Sequence, residues 1–163
     1  LYEGTTGIQS QDLLARKVTL QNGKALALLV DEMMRTISLA SNYDDLKPYA
    51  DELSSSLQLS QKILQKLMPF AMKGNYKRYL SDANLFMEYM SIVVMSWLWL
   101  EMAVNSKEKI TANDLKHSKI FYESKIHTMK FYFKYELPKT LSLAETLMSD
   151  EVLTIKEDTE YIL

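Results

Sequence analysis

His117 and His127 are the two imidazoles of the chain, and ten residues separate them. On the single helix predicted there, that spacing puts them about 15 Å apart along the axis and about 80° apart around it. They cannot share a metal ion, and ordinary surface or boundary histidines are expected. Glu123 stands four residues before His127, whereas carboxylate-bridged di-iron bundles use Glu-x-x-His on each of two helices. No second copy occurs, so no metal site is expected. The absence of Cys removes thiolate zinc sites, iron–sulfur clusters, disulfides and cysteine nucleophiles, and it is compatible with a reducing, cytoplasmic location. What remains is the opening segment, where Glu3 and Gly4 precede Thr5, Thr6, Gly7 and Gln9. By local spacing alone this is a glycine-rich turn with a capping threonine, since one carboxylate beside one glycine carries little information.

The elements that hold these residues are helices. Only 4 Gly and 3 Pro accompany 47% hydrophobic residues in 163, too apolar for disorder and too poor in turn residues for a many-stranded sandwich. Thr6 followed by Gln9 fits a capping box, so a first helix is predicted from residue 7 or 8 to about residue 21, stopped by Asn22-Gly23. Leu26, Leu29, Val30, Met33, Ile37 and Ala40 mark one face of a second. The third, over residues 46–71, carries a heptad-like seam of Leu46, Ala50, Leu53, Leu57, Ser60, Leu64, Leu67 and Ala71. Pro48 suits its first turn, Pro69 kinks or ends it, and Gly74-Asn75 closes it. Residues 79–104 are apolar nearly all round and predict a fourth, most buried helix holding Trp97 and Trp99. Thr111 and Asp114 suggest the start of a fifth, over residues 113–136, interrupted by Pro138. A short sixth reaches residue 148, and the acidic tail beyond is expected to be loop or partly disordered. The fold class is therefore all-α, an antiparallel bundle of five or six helices.

Composition narrows the partners. With 19 Lys+Arg against 21 Asp+Glu the net charge is −2, which lacks the basic footprint of a nucleic-acid binder. The charge-free stretch over residues 89–100 is well short of the roughly 20 apolar residues of a membrane span, and a buried helix is expected instead. Met33, Met68, Met72, Met87, Met90, Met95 and Met102 fall mostly where apolar faces need filling, so core packing accounts for them. Residues 107–139 hold eight lysines and four acids, read as a solvated helix face. The chain opens on Leu1 with no secretory leader pattern and reads as a piece of something longer.

The opening Leu1-Tyr2-Glu3-Gly4-Thr5-Thr6-Gly7-Ile8-Gln9, followed by Asp12-Leu13-Leu14-Ala15-Arg16-Lys17, resembles the tyrosine-glutamate-glycine-threonine segment of acyl-CoA dehydrogenases. Phe121-Tyr122-Glu123-Ser124-Lys125-Ile126, then Phe131, Phe133 and Glu136-Leu137-Pro138, look like the end of the extra C-terminal helical domain of one branch. That branch contains the acetyl-CoA-dehydrogenase-like and 3-methylmercaptopropionyl-CoA dehydrogenases, and the helix with Trp97 and Trp99 is similar too.

The resemblance implies an FAD enzyme that converts an acyl-CoA thioester to a trans-2-enoyl-CoA and passes electrons to an electron-transfer acceptor. It places the catalytic base at Glu3, a carboxylate whose proton affinity must be raised by an apolar pocket. Gly4 then lets backbone approach the substrate where a Cβ would intrude. Thr5, Thr6 and Gly7 match FAD-contacting positions at a helix start, where free N–H groups favour an electron-rich ligand, with Gln9 adding an amide contact. Residues 1–21 become the end of a catalytic helical domain, 22–148 an appended bundle and 149–163 an acidic tail. A homo-oligomer is implied for the parent. The flavin-binding domains are not among these residues, so the 163-residue chain alone is expected to bind no FAD and to dehydrogenate nothing. The competing reading is a stand-alone helical interaction module without chemistry, packing partners against an apolar stripe.

Overall fold

Recurrence of apolar side chains every three or four residues buries one face of each helix, and the computed structural model, which describes residues 4–155, consists of helices and turns with no strand among them. Its order is α1 (Thr6–Asp12), a π-helical turn (Leu13–Lys17), α2 (Lys24–Ala40), α3 (Lys47–Met72), α4 (Tyr76–Leu80), α5 (Ala83–Thr111), α6 (Lys119–Tyr135) and α7 (Lys139–Leu147). The all-α bundle expected from the sequence is what the chain forms, with two short helical pieces, α1 and α4, among its seven α-helices.

The axis of the bundle is α5. It packs against α1, the π turn, α2, α3, α6 and α7, most extensively α6. Phe86, Tyr89, Val93, Leu100 and Ala103 on it are fully buried, as the all-round apolar pattern required. By length and composition α5 is also the one described helix able to cross a membrane; here it packs against five other helices. Trp97 and Trp99 are partly buried against the core, and the Trp97 indole N–H donates to Thr36 Oγ1 at 2.8 Å. The α3 seam is buried at Leu46, Ala50, Leu53, Leu57, Ser60 and Leu67, with Leu64 and Ala71 half-buried beside it.

Several boundaries differ from those the sequence suggested, each for a physical reason. The first helix leaves α geometry at Leu13 and dissolves into turns by residue 18, although Gln21, Asn22 and Gly23, with φ of 52°, 57° and 84°, do make the expected stop. Thr5, not Thr6, is the N-cap, and no side-chain cap bond is made; the expected capping box is absent, and the turn is closed by the Gln9 N–H donating to Thr5 O at 2.9 Å. Pro48 sits in the first turn of α3 as expected, but Pro69 is accommodated inside the helix, which runs on to Met72. Gly74, φ 73°, then closes it: Asn75 N–H donates to Phe70 O and Gly74 N–H to Ala71 O, the Schellman arrangement. The same arrangement ends α5, where Asp114 N–H donates to Lys109 O and Asn113 N–H to Ile110 O, with Asn113 at φ 51°. Thr111 and Asp114 therefore mark a stop. The next helix starts only at Lys119, capped by Ser118 Oγ accepting from Phe121 N–H at 3.3 Å. What the sequence offered as one helix over 79–104 is α4 and α5, parted at Ser81-Asp82.

The tail after α7 has no regular structure over residues 149–155, yet it is strapped to the bundle. Lys66 Nζ donates to the Met148 carbonyl and to Asp150, Arg78 donates to Ser149 O at 3.0 Å, and Thr154 Oγ1 to Asp82 at 3.1 Å. Two buried phenols cross-link the core. Tyr89 donates to Ser56 O and Tyr79 to Leu14 O, each at 2.7 Å, and burial raises both pKa values above the ordinary 10.0. A phenol whose folded pKa is raised contributes stability that is present below the unfolded value and is lost as pH climbs past it. Stability measured by urea unfolding is therefore expected to fall above about pH 10, with Tyr89→Phe flattening that slope. An unchanged slope in Tyr89→Phe would contradict burial of this hydroxyl.

Candidate functional site

Of the residues singled out at the amino end, Glu3 lies outside the described part of the chain. Gly4, Thr5, Thr6, Gly7 and Gln9 follow one another through the loop and first turn of α1, all exposed. A Cβ added at Gly7 would meet nothing within 4 Å, so packing within this chain does not call for a glycine there; its open backbone is free to face a ligand or another part of a larger protein.

Behind this exposed turn the attachment is tight. Ser10, 1% exposed, donates its hydroxyl to Gly7 O at 2.8 Å and stands 2.5 Å from Asn84 Oδ1 on α5. One turn further, Val18 N–H donates to Leu13 O, one residue further back than an α-helix would take it. This slip leaves the Leu14 carbonyl without Val18, and the Tyr79 hydroxyl donates to it instead. Leu14 itself is completely buried. Asp12 on the outer side holds Arg16 with its carboxylate, and that guanidinium keeps the Asp12 pKa below its usual value.

The structure does not gather the other candidates into a site. His117 lies in the loop before α6, not on a shared helix with His127 as expected, and its ring rests 4.7 Å from that of Phe121. Among the described residues no three His, Asp or Glu side chains are grouped to hold a metal. Lys107 pairs with Asp45, Lys109 with Asp114, Lys119 with Glu123 and Lys139 with Glu136, so half of the lysines over residues 107–139 lie on local carboxylates. The methionines divide: Met33 and Met90 are buried, Met68 and Met87 half-buried, while Met72, Met95 and Met102 are 81%, 41% and 40% exposed. Core packing therefore does not account for those three.

Sequence reasoning missed the grooves. The second helix was expected to bury Leu26, Leu29 and Val30, but only its carboxyl half, at Met33, Ile37 and Ala40, does so. The amino half, partly buried against the core, borders an apolar groove of about 500 Å³ shared with the π turn and α5 and lined by Leu13, Leu26, Leu29, Phe86 and Met90 with Lys17 also present. A larger one of about 710 Å³ lies between α3 and the start of α7. Periodicity cannot foresee such a gap, because it reports which side chains share a face and not how far that face stands from its neighbour.

An all-α bundle built on one central apolar helix, with a hydroxyl- and glycine-rich turn carried at its amino end, is a helical domain in architecture. The chain matches the family described as Acetyl-CoA dehydrogenase C-terminal like over residues 29–156, and it belongs to that family. It is also 28% identical over 159 residues to the broad-specificity linear acyl-CoA dehydrogenase FadE5 of Mycobacterium tuberculosis, an alignment covering 92% of this chain and 26% of that protein. The chain thus spans about a quarter of the length of the curated relative it matches.

Proposed function

We propose that this chain is the carboxyl-terminal part of an FAD-dependent acyl-CoA dehydrogenase, contributing the catalytic base and an appended helical bundle. The observation that carries this reading is the family match over residues 29–156, joined to the Tyr2-Glu3-Gly4-Thr5-Thr6-Gly7 opening. In this reading residues 1–21 end the catalytic helical domain, 22–148 form the appended bundle and 149–163 the acidic tail. The relative is a broad-specificity linear acyl-CoA dehydrogenase, and a linear acyl-CoA is the proposed substrate class here; the 3-methylmercaptopropionyl branch is a narrower version of the same proposal.

The residues of the first turn suit a flavin. The Thr5, Thr6 and Gln9 side chains are exposed, none makes a side-chain hydrogen bond among the described residues, and Gly7 presents backbone with no neighbour in the way. These four would hold the flavin edge through hydroxyl, amide and backbone N–H groups. A flavin held there would supply the acceptor for hydride leaving the carbon β to the thioester carbonyl. Glu3 takes the proton from the α carbon, and Gly4 leaves room for the thioester beside it. For this a carboxylate must be held in apolar surroundings that raise its pKa, and in the chain described here the neighbouring turn is open to water. Enclosure belongs to the rest of the parent, proposed to be a cytoplasmic homo-oligomer that hands its electrons to a separate acceptor.

The test is flavin absorbance. The 163-residue chain purified alone is expected to be colourless, and the longer polypeptide that contains it to carry one flavin per chain. A longer polypeptide without flavin would refute the reading, and a stoichiometrically yellow 163-residue chain would refute the assignment of the missing enclosure to the parent.

A further inference from the structure

We propose that Tyr79 and Asn84, both outside the motif, are positioning residues that set the aim of the Gly4–Gly7 loop, so that the appended bundle fixes the geometry of the reacting end; this rests on the dehydrogenase reading above. Two attachments carry the argument. The nearer is Ser10, whose buried hydroxyl lies within hydrogen-bond distance of both Gly7 O, at the edge of the loop, and Asn84 Oδ1 on α5, its one proton serving either acceptor. The farther is the bond from Tyr79 to Leu14 O at the π turn.

The π turn is the sensitive element. Taking the Val18 N–H back to Leu13 O amounts to one extra residue in the helix, and one residue is about 100° of rotation. The azimuth of α1, and with it the direction in which Gly4, Thr5 and Thr6 leave the bundle, therefore depends on whether the insertion persists. The insertion strands the Leu14 carbonyl in a buried place, where an unpaired acceptor is costly. Tyr79 satisfies it. Without that hydroxyl the carbonyl is best paired by returning Val18 N–H to it, which restores α geometry and turns α1 on its axis. Tyr79 is itself fixed, 2% exposed, with its hydroxyl 3.5 Å from the Met68 sulfur.

A matched control exists in the same core. Tyr89 makes the same kind of buried phenol-to-carbonyl bond, to Ser56 O, between α5 and α3 and away from α1. In hydrogen–deuterium exchange on this chain, Tyr79→Phe is expected to shift exchange at the amides of residues 9–18 by about tenfold as they change partners, and Tyr89→Phe to leave those amides unchanged relative to the rest of the bundle. In the longer dehydrogenase, Tyr79→Phe, Ser10→Ala and Asn84→Ala are expected to lower kcat by about tenfold to a hundredfold and to weaken flavin retention alongside it, because the loop they aim also carries the proposed flavin contacts. Ser10→Thr, which keeps the hydroxyl, restores kcat, and Tyr89→Phe keeps the parental kcat. The proposal is overturned if Tyr79→Phe matches Tyr89→Phe in either exchange or kcat. Full turnover in Glu3→Gln would sink the dehydrogenase reading separately, with the exchange result still deciding whether Tyr79 holds the π turn.

Discussion

Glu3→Gln in the longer dehydrogenase is expected to cut turnover by about 10²- to 10⁴-fold, the usual contribution of a positioned general base, while flavin stays bound. Glutamine fills the same space and still accepts a hydrogen bond, but it cannot take up a proton at neutral pH. The proposed flavin contacts lie on Thr5, Thr6, Gly7 and Gln9, which the substitution leaves in place. The measurement is bleaching of the flavin on anaerobic mixing with a linear acyl-CoA, followed in a stopped-flow spectrometer. A parental bleaching rate would move the base to another residue.

Phe133→Ala is expected to cost about 3–5 kcal/mol, enough to lower Tm by roughly 10 °C in a chain of this size. Phe133 is 1% exposed on α6, and Tyr49 of α3 meets it edge-to-face at 5.3 Å between ring centroids. Truncation leaves a cavity between α3 and α6 that neither long helix can close without giving up other contacts. Two residues away on the same helix, Phe131 is 52% exposed, and Phe131→Ala is expected to stay within about 0.5 kcal/mol. Equal losses in the two variants would mean that α6 faces the bundle with its other side.

The long helices were legible because their burial follows their periodicity. The seam from Leu46 to Leu67 and the all-round apolarity near Trp97 translate directly into the two longest elements, α3 and α5. The carboxyl end of α5 was not legible, since Asn105, Ser106, Lys107 and Glu108 lack apolar spacing while the backbone bonds simply continue; the stop lies in the left-handed Asn113, easily mistaken for a helix start when Thr111 and Asp114 flank it. The corner between α4 and α5 contains neither Gly nor Pro. There the turn is carried by side chains, with Arg78 reaching Ser81 and Asp82 and resting 5.1 Å from the centre of the Phe70 ring, and an arginine beside a serine and an aspartate is as common inside a helix as at its corner. The π turn leaves even less trace, for a slip of one hydrogen bond changes no residue type. In the candidate site the residue types of the opening turn were readable, but the anchors behind them, Asn84 and Tyr79, are tens of residues away and are found only when the chain is folded.

The opening of α5 receives both extremities of the described chain: Asn84 meets Ser10, and Asp82 accepts from Thr154, 72 residues later. During synthesis, α1 emerges well before its seat exists, and Asp82 waits for α6, α7 and the strap to leave the ribosome before Thr154 arrives. Errors in folding should therefore be felt first at this one corner, where a segment translated before α5 and one translated well after it are buttoned to its opening turn.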